Sequence, residues 1–327
     1  MGTLQNRFSW SKSRDEKFRE CPRQYYYHHY GSWGGWDASA DPKVRELYIL
    51  KNLKSRHMWV GEIVHHTIEN ALKHYQETQQ LPAEKYLAEM TQRMRHEFKA
   101  SRDKAYRKNR KVVGLFEHEY ESNIPDNKWV EIHETAKRCL TNFANIIFPR
   151  LVKPVPVADW KLIETMQEFI FEGTLIYVKI DFAYFGTTES ERASGFARAN
   201  EPKGGMGVSG EARTLIIIDW KTGKSEDVDN EIQLDCYGLF SRDYFKIPTE
   251  SITTIECNVN LGKDNVRKMI EAKMDFAKHY LRNSIAGMKR ALVDPEKNGA
   301  REEDFPFTEN EQTCRYCNFK KVCAKWI

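Results

Sequence analysis

No apolar run in this chain approaches the roughly 20 residues that a membrane helix needs, so no spanning segment is expected. The N-terminus, MGTLQNRFSWSKSRDEKF, lacks the apolar stretch of a secretory signal, and Asn6 stands where a myristoylation signal wants Ser or Thr. The expected location is cytoplasmic, with no membrane partner. There is no internal repeat, no low-complexity tract and no G-x4-G-K-S/T phosphate loop of an ATPase. Charge of one sign is also scarce: 51 Lys and Arg against 47 Asp and Glu leave +4, too little to name a partner. Seven cysteines, an odd number with no secretion signal, argue against a disulfide framework.

What remains is a soluble globular composition, 40% hydrophobic and 30% charged, which excludes a disordered chain. A length of 327 residues allows one sizeable core with a subdomain. Residues 12–30 are expected to form a short helix broken at Pro22, followed by a tyrosine-rich turn. Further helices are expected over 41–56, 58–78, 84–110 and 126–149, the last stopped before Pro154 and Pro156. The period then changes. Residues 161–172 and 174–185 alternate apolar and polar side chains about Gly173, as a β-hairpin does. Residues 186–212, rich in Gly, Ser, Ala and charge, are expected to be a long mobile loop. RTLIIIDW at 213–220 is a continuous apolar run and predicts a buried strand. A helix over 227–245, a strand over 252–260, a long helix over 263–292 and a cysteine-bearing tail complete the order. The expectation is an α/β chain with a helical insertion at about 80–155 and no linker dividing it.

In IIIDWKTGK, Asp219 and Lys221 are two apart and share one side of the strand. The carboxylate suits a hard cation such as Mg²⁺ or Mn²⁺, and the lysine suits orientation of a water or stabilisation of phosphate charge. The carbonyl of Trp220 between them offers another oxygen ligand. A lone D-x-K fits a surface ion pair equally well. Asp181 lies in the apolar strand YVKIDFAYF, where a lone buried charge is costly and a metal shared with Asp219 would remove the cost. On the helix GEIVHHTIEN, His65 can add a nitrogen ligand; His66 points about 100° away and is the poorer candidate. Between Arg93 and Lys111, nine Lys or Arg stand against Glu97 and Asp103, with Phe98 and Tyr106 interleaved. That mixture suits a nucleic-acid backbone with exposed bases, or else a solvated helix face.

Gly61-x3-His65, Asp181, Asp219-x-Lys221-Thr222-Gly223 and Gln233-x3-Tyr237, in that order, resemble the RecB-like branch of the PD-(D/E)XK nucleases. The resemblance implies a restriction-endonuclease-like core with a mixed central sheet flanked by helices. It implies that His65, Asp181 and Asp219 hold the metal and that Lys221 assists the attacking water. Gln233 and Tyr237 would face the site and the DNA. Having Asp rather than Glu at 219 is a variation the family allows. Cys314-x2-Cys317-x5-Cys323 leaves a four-ligand site one short, and Cys21-Pro22 can complete it. This frame resembles the iron–sulfur nucleases of the AddB type and of CRISPR adaptation, implying a 4Fe–4S cluster that clamps the two ends of the chain. A four-cysteine zinc site fits the same count. Cys139, Cys236 and Cys257 are expected in the core. Tyr25, Tyr26 and Tyr27 are expected to pack the cluster rather than stack on bases. The implied function is metal-dependent DNA hydrolysis within a single nuclease domain over 1–327, directed at single-stranded ends, in repair, recombination or antiviral defence. The alternative is a DNA-binding scaffold that works only with a helicase or defence-complex subunit.

Overall fold

The computed structural model describes residues 5–186, 213–224 and 231–326. Apart from Gly186, the loop expected over 186–212 lies outside the described residues. The longer helices are α1 (Lys12–Glu20), α2 (Pro42–Lys51), α3 (Arg56–Thr78), α4 (Ala83–Arg102), α5 (Asp126–Asn142), α6 (Glu231–Phe245) and α7 (Glu271–Arg290). Local chemistry sets several of their ends. Ser11 caps α1 by accepting from the Arg14 N–H, and Ser55 caps α3 by accepting from the Met58 N–H. Asp41 caps α2, with Pro42 at the first helical position.

The strands are β1 (Ser9–Trp10), β2 (Leu53–Lys54), β3 (Gly114–Leu115), β4 (Trp160–Phe171), β5 (Thr174–Gly186), β6 (Thr214–Lys221), β7 (Ile252–Asn258) and β8 (Lys263–Lys268). β2 and β3 form a small parallel pair. The others form one mixed sheet in the order β4, β5, β6, β7, β8, with β1 parallel to the start of β5. β5–β6 and β7–β8 are antiparallel, and β6–β7 is parallel, joined by a crossover through α6. The mixed sheet and the helical N-terminal half agree with the sequence reading.

Three expectations need correction. The helix over 41–56 ends at Lys51, and Leu53–Lys54 form β2 before α3 begins at Arg56. The long helix over 263–292 is instead strand β8 followed by α7. β8 is a polar edge strand, KDNVRK, and carries almost none of the apolar alternation by which strands are recognised. Gly262, at φ +68°, makes the turn that returns it onto β7. The helix over 84–110 ends at Arg102, and Lys104 at φ +52° breaks it before a short turn at Ala105–Arg107.

Apolar residues cover both sheet faces. Phe182, Tyr184, Ile216, Ile218, Trp220, Ile255 and Cys257 pack under α3, α4 and α5, together with Cys139. Ile176, Val178, Ile180, Ala183, Leu215, Ile217 and Ile252 pack under α6 and α7, together with Cys236. The three expected core cysteines are therefore buried, and burial raises their thiol pKa values. Tyr25 and Tyr27 are buried, the latter against Phe319 with ring centroids 5.5 Å apart, so these tyrosines pack.

A third cluster joins the C-terminal tail to the helical half through Tyr27, Leu47, Leu50, Leu53, Tyr106 and Phe319. Beside it Glu119, on the short helix Phe116–Glu119, takes hydrogen bonds from Tyr106 Oη at 2.5 Å and Arg107 Nε at 3.0 Å, and an ion pair from Lys321. Burial opposes the charge of Glu119, yet the bonds from Arg107, Lys321 and Tyr106 hold its pKa down to about 2. Several members of the basic segment are thus committed within the chain. Arg107 serves Glu46 and Glu119, Lys104 meets Glu121, and Tyr106 is buried rather than free to stack on a base.

Glu119→Gln should keep the shape and remove the charge that these donors converge on. We expect a loss of about 1–3 kcal/mol, read as a lower urea midpoint at unchanged slope. An unchanged midpoint would show that the network is only a surface arrangement.

Candidate metal and catalytic site

The β4–β5 hairpin turns through Glu172 at φ +46° and Gly173 at φ +77°, the left-handed pair that suits a two-residue hairpin loop. Phe171 pairs with Thr174, and the register continues to Thr165–Ile180 and Ile163–Phe182. That register sets Glu164 opposite Asp181. The apolar residues of β5 change face here: Ile180 packs under α6, whereas Phe182 packs under α3. Glu164 itself is left-handed, at φ +48°, a strained backbone for a non-glycine residue. The ladder is distorted where the two carboxylates meet.

Helix α3 brings His65 to this point. A Cβ on Gly61 would meet Thr222 Oγ1 at 3.3 Å, so glycine one turn before His65 lets α3 lie close to the turn that follows β6. His65 Nδ1 then sits 2.8 Å from Glu164 Oε1 and 3.4 Å from Asp181 Oδ1. Ligand atoms of His65, Glu164 and Asp181 all lie within 4.8 Å of one another, and both acids are buried. His66 is exposed and pairs with Asn70 instead.

Asp219 and Lys221 leave β6 on the α6 side. Lys221 Nζ is 2.6 Å from Asp219 Oδ2 and donates to Gln233 Oε1 at 3.3 Å. Gln233 Nε2 donates to Asp219 Oδ1 at 3.2 Å and to the Tyr237 hydroxyl at 2.6 Å. Tyr237 Oη donates to the Lys179 carbonyl at 2.5 Å. Burial, aided by the charges of Asp219 and Asp181, raises the Tyr237 pKa well above its usual value and keeps its proton in place. Trp220 links the two halves: its backbone N–H donates to Asp181 Oδ2 at 2.8 Å.

The six side chains singled out in the sequence therefore fall into two adjacent groups. His65 and Asp181 cluster with Glu164, while Asp219, Lys221, Gln233 and Tyr237 form one hydrogen-bonded set. Glu164 and its partner Lys179, 2.6 Å away, were not foreseen. The signal was available: a two-residue loop at 172–173 fixes the register, and counting outward from it sets Glu164 opposite Asp181.

Burial raises Asp181 to about 6, with Asp219 and Glu164 adding to the rise and His65 opposing it. Burial likewise opposes a charge on His65, but the carboxylates of Asp181 and Glu164 outweigh it and hold its pKa well above the ordinary value. Three buried carboxylates against one lysine pair and one histidine make a site that fits a hard divalent cation.

Cys21, Cys314, Cys317 and Cys323 line one cavity between α1 and the tail, together with Tyr27 and Phe319. Burial raises Cys317 to about 12, and the neighbouring Cys21, Cys323 and Cys314 add to the rise. The sulfurs are not drawn into a compact ligand group: among the described residues no three lie within 4.8 Å of one another.

Residues 208–324 match the PD-(D/E)XK nuclease superfamily, whose members are typically phosphodiesterases that use divalent metals. The match takes in Asp219, Lys221, Gln233, Tyr237 and the three C-terminal cysteines; His65, Glu164, Asp181 and Cys21 lie before it. No curated protein matches the chain. No helix among the described residues is long and apolar enough to cross a membrane.

A carboxyl whose folded pKa is raised contributes stability below its unfolded value, and that contribution is lost as pH rises through the folded one. For Asp181 the window runs from the ordinary carboxyl value of 3.8 to about 6. A bound cation reverses the penalty at neutral pH. Millimolar Mn²⁺ should therefore raise Tm near neutral pH, by the equivalent of about 2.7 kcal/mol at a hundredfold excess over Kd. The rise should fade below pH about 6, where Asp181 takes a proton. Glu164→Ala should weaken it. A Tm shift independent of both pH and Glu164 would place the cation elsewhere.

Proposed function

We propose that the chain is a metal-dependent deoxyribonuclease that hydrolyses phosphodiester bonds, acting on single-stranded ends in DNA repair, recombination or antiviral defence. The observation that carries this reading is the meeting of His65, Glu164 and Asp181 with the Asp219–Lys221 pair at one end of the sheet. His65, Glu164, Asp181 and Asp219, with the Trp220 carbonyl as a further oxygen, are the residues that would hold the cation. Bound there, a divalent cation supplies Lewis-acid polarisation of a phosphate and lowers the pKa of water.

The chain's own residues do the rest. Glu164 accepts from His65 and fixes which ring nitrogen is engaged. The Trp220 N–H anchors one oxygen of Asp181 and leaves the other toward His65. Gln233 bridges Lys221, Asp219 and Tyr237, so the ammonium is held in one place rather than sweeping through its rotamers. From that place it orients a water and offsets negative charge growing on the phosphate.

Lys221→Ala and Asp219→Ala should each lower cleavage of end-labelled single-stranded DNA in Mn²⁺ at least a hundredfold, about 2.7 kcal/mol of barrier. DNA binding should persist. Activity within tenfold of the parent would end the assignment of these residues.

We further propose that Cys21, Cys314, Cys317 and Cys323 hold a 4Fe–4S cluster. The four cysteines line one cavity, and the resemblance of their frame to the iron–sulfur nucleases favours iron over a four-cysteine zinc site. Anaerobically purified protein should be brown and carry about four irons per chain. Cys21→Ser should lower both iron content and Tm, and the core variant Cys139→Ser should leave the iron unchanged. Stoichiometric zinc without iron would overturn the cluster and leave the nuclease reading intact.

A further inference from the structure

β5 has β4 along one edge from Thr174 to Tyr184, but its other edge is shared. β1 pairs with it only at Leu175 and Ile176, and β6 only from Phe182 onward. Between them, along Tyr177 to Asp181, no strand covers that edge among the described residues. The opening is a cavity of about 450 Å³, within the size range of small-ligand sites. Its inner side is Gln233 and Tyr237, the same side chains that hold Asp219 and Lys221. Its outer side is the first turn of α1, with Lys12, Ser13 and Arg14. Along β5 it meets Tyr177 and Lys179, and across the hairpin Met166, which pairs with Lys179 and is 58% exposed.

Three cations, Lys12, Arg14 and Lys179, line this opening against one acid, Glu16. Lys12 is held by Glu16 at 2.5 Å and Lys179 by Glu164 at 2.6 Å, so both ammonium groups are fixed at the rim. Tyr177 and Met166 supply flat or polarizable apolar surface. Those two ion pairs leave one net positive charge at the opening, the Arg14 guanidinium; a guanidinium with the Ser13 hydroxyl beside aromatic surface suits a nucleotide, phosphate on one side and an unstacked base on the other.

We propose that this opening is a subsite for one unpaired nucleotide next to the scissile phosphate. Its phosphate lies against Lys12, Ser13 and Arg14, and its base against Tyr177 and Met166. The proposal deepens the nuclease reading and rests on it for the position of the scissile phosphate. It requires a strand that enters unpaired, because the base must leave its stack to reach β5.

The test is calorimetric titration of the full chain, without divalent cation, with thymidine 5′-monophosphate and with inorganic phosphate. The parent should bind the nucleotide more tightly than phosphate. Ser13→Glu, a change at an exposed position, should weaken nucleotide binding at least tenfold. Tyr177→Ala should bring the nucleotide down to the affinity of phosphate, with an unchanged circular dichroism spectrum. No nucleotide binding by the parent, equal affinity for phosphate, or unchanged affinity in both variants would overturn the subsite. Activity is a separate readout: a chain that binds the nucleotide here but cleaves no DNA in Mn²⁺ would sink the nuclease reading and keep the subsite.

Discussion

Three carboxylates, Glu164, Asp181 and Asp219, are buried at one end of one sheet, and the surrounding structure is organised by the need to balance them. Burying an unpaired carboxylate costs several kcal/mol even after relaxation. Each of the three has a dedicated partner. Glu164 lies between His65 and Lys179, Asp181 takes the Trp220 N–H and faces His65, and Asp219 holds Lys221. The backbone is shaped by the same requirement. The hairpin register sets two acids opposite each other, and the backbone at Glu164 is left-handed there, at φ +48°. Gly61 lets α3 come close enough to deliver the histidine. Burial, with Asp219 and Glu164 adding to it and His65 opposing it, raises Asp181 to about 6.

The two halves of the site come from opposite layers. His65 reaches it from α3 on one face of the sheet, and Gln233 and Tyr237 reach it from α6 on the other. Asp181 and Trp220, on neighbouring strands, join them through one hydrogen bond. The histidine and the lysine thus come to the site from different elements, yet the ammonium stays beside an acid: Lys221 Nζ lies 2.6 Å from Asp219 Oδ2.

Much of this was legible in the chain. Periodicity placed Asp219 and Lys221 on one side of a continuous apolar strand and His65 on an amphipathic helix, whereas Gln233 and Tyr237 were singled out only by the resemblance to the nuclease family. Glu164 was missed because a glutamate in an alternating strand looks like a solvent-facing residue. Only the register of the hairpin shows that it faces Asp181. The edge strand β8 was missed for a related reason: its charges protect an open edge and erase the pattern by which strands are found. The basic segment was legible only in part. Counting cations detects charge but not partners, and Arg107 and Lys104 are occupied by Glu46, Glu119 and Glu121 that the linear sequence does not place beside them.

Helix α1 connects the cysteine cavity to the opening on β5. It spans nine residues, about 13 Å at 1.5 Å per residue, with Lys12 at one end and Cys21 immediately after the other. Its middle is fixed on α7: Asp15 is buried and accepts from Tyr280 Oη at 2.6 Å and Ser284 Oγ at 2.5 Å, while Trp10 Nε1 donates to Ser284 Oγ at 2.8 Å. One short helix, fixed at its centre, therefore carries Cys21 at the cysteine cavity and Lys12 and Arg14 at the opening on β5, so the two corners share a single rigid element.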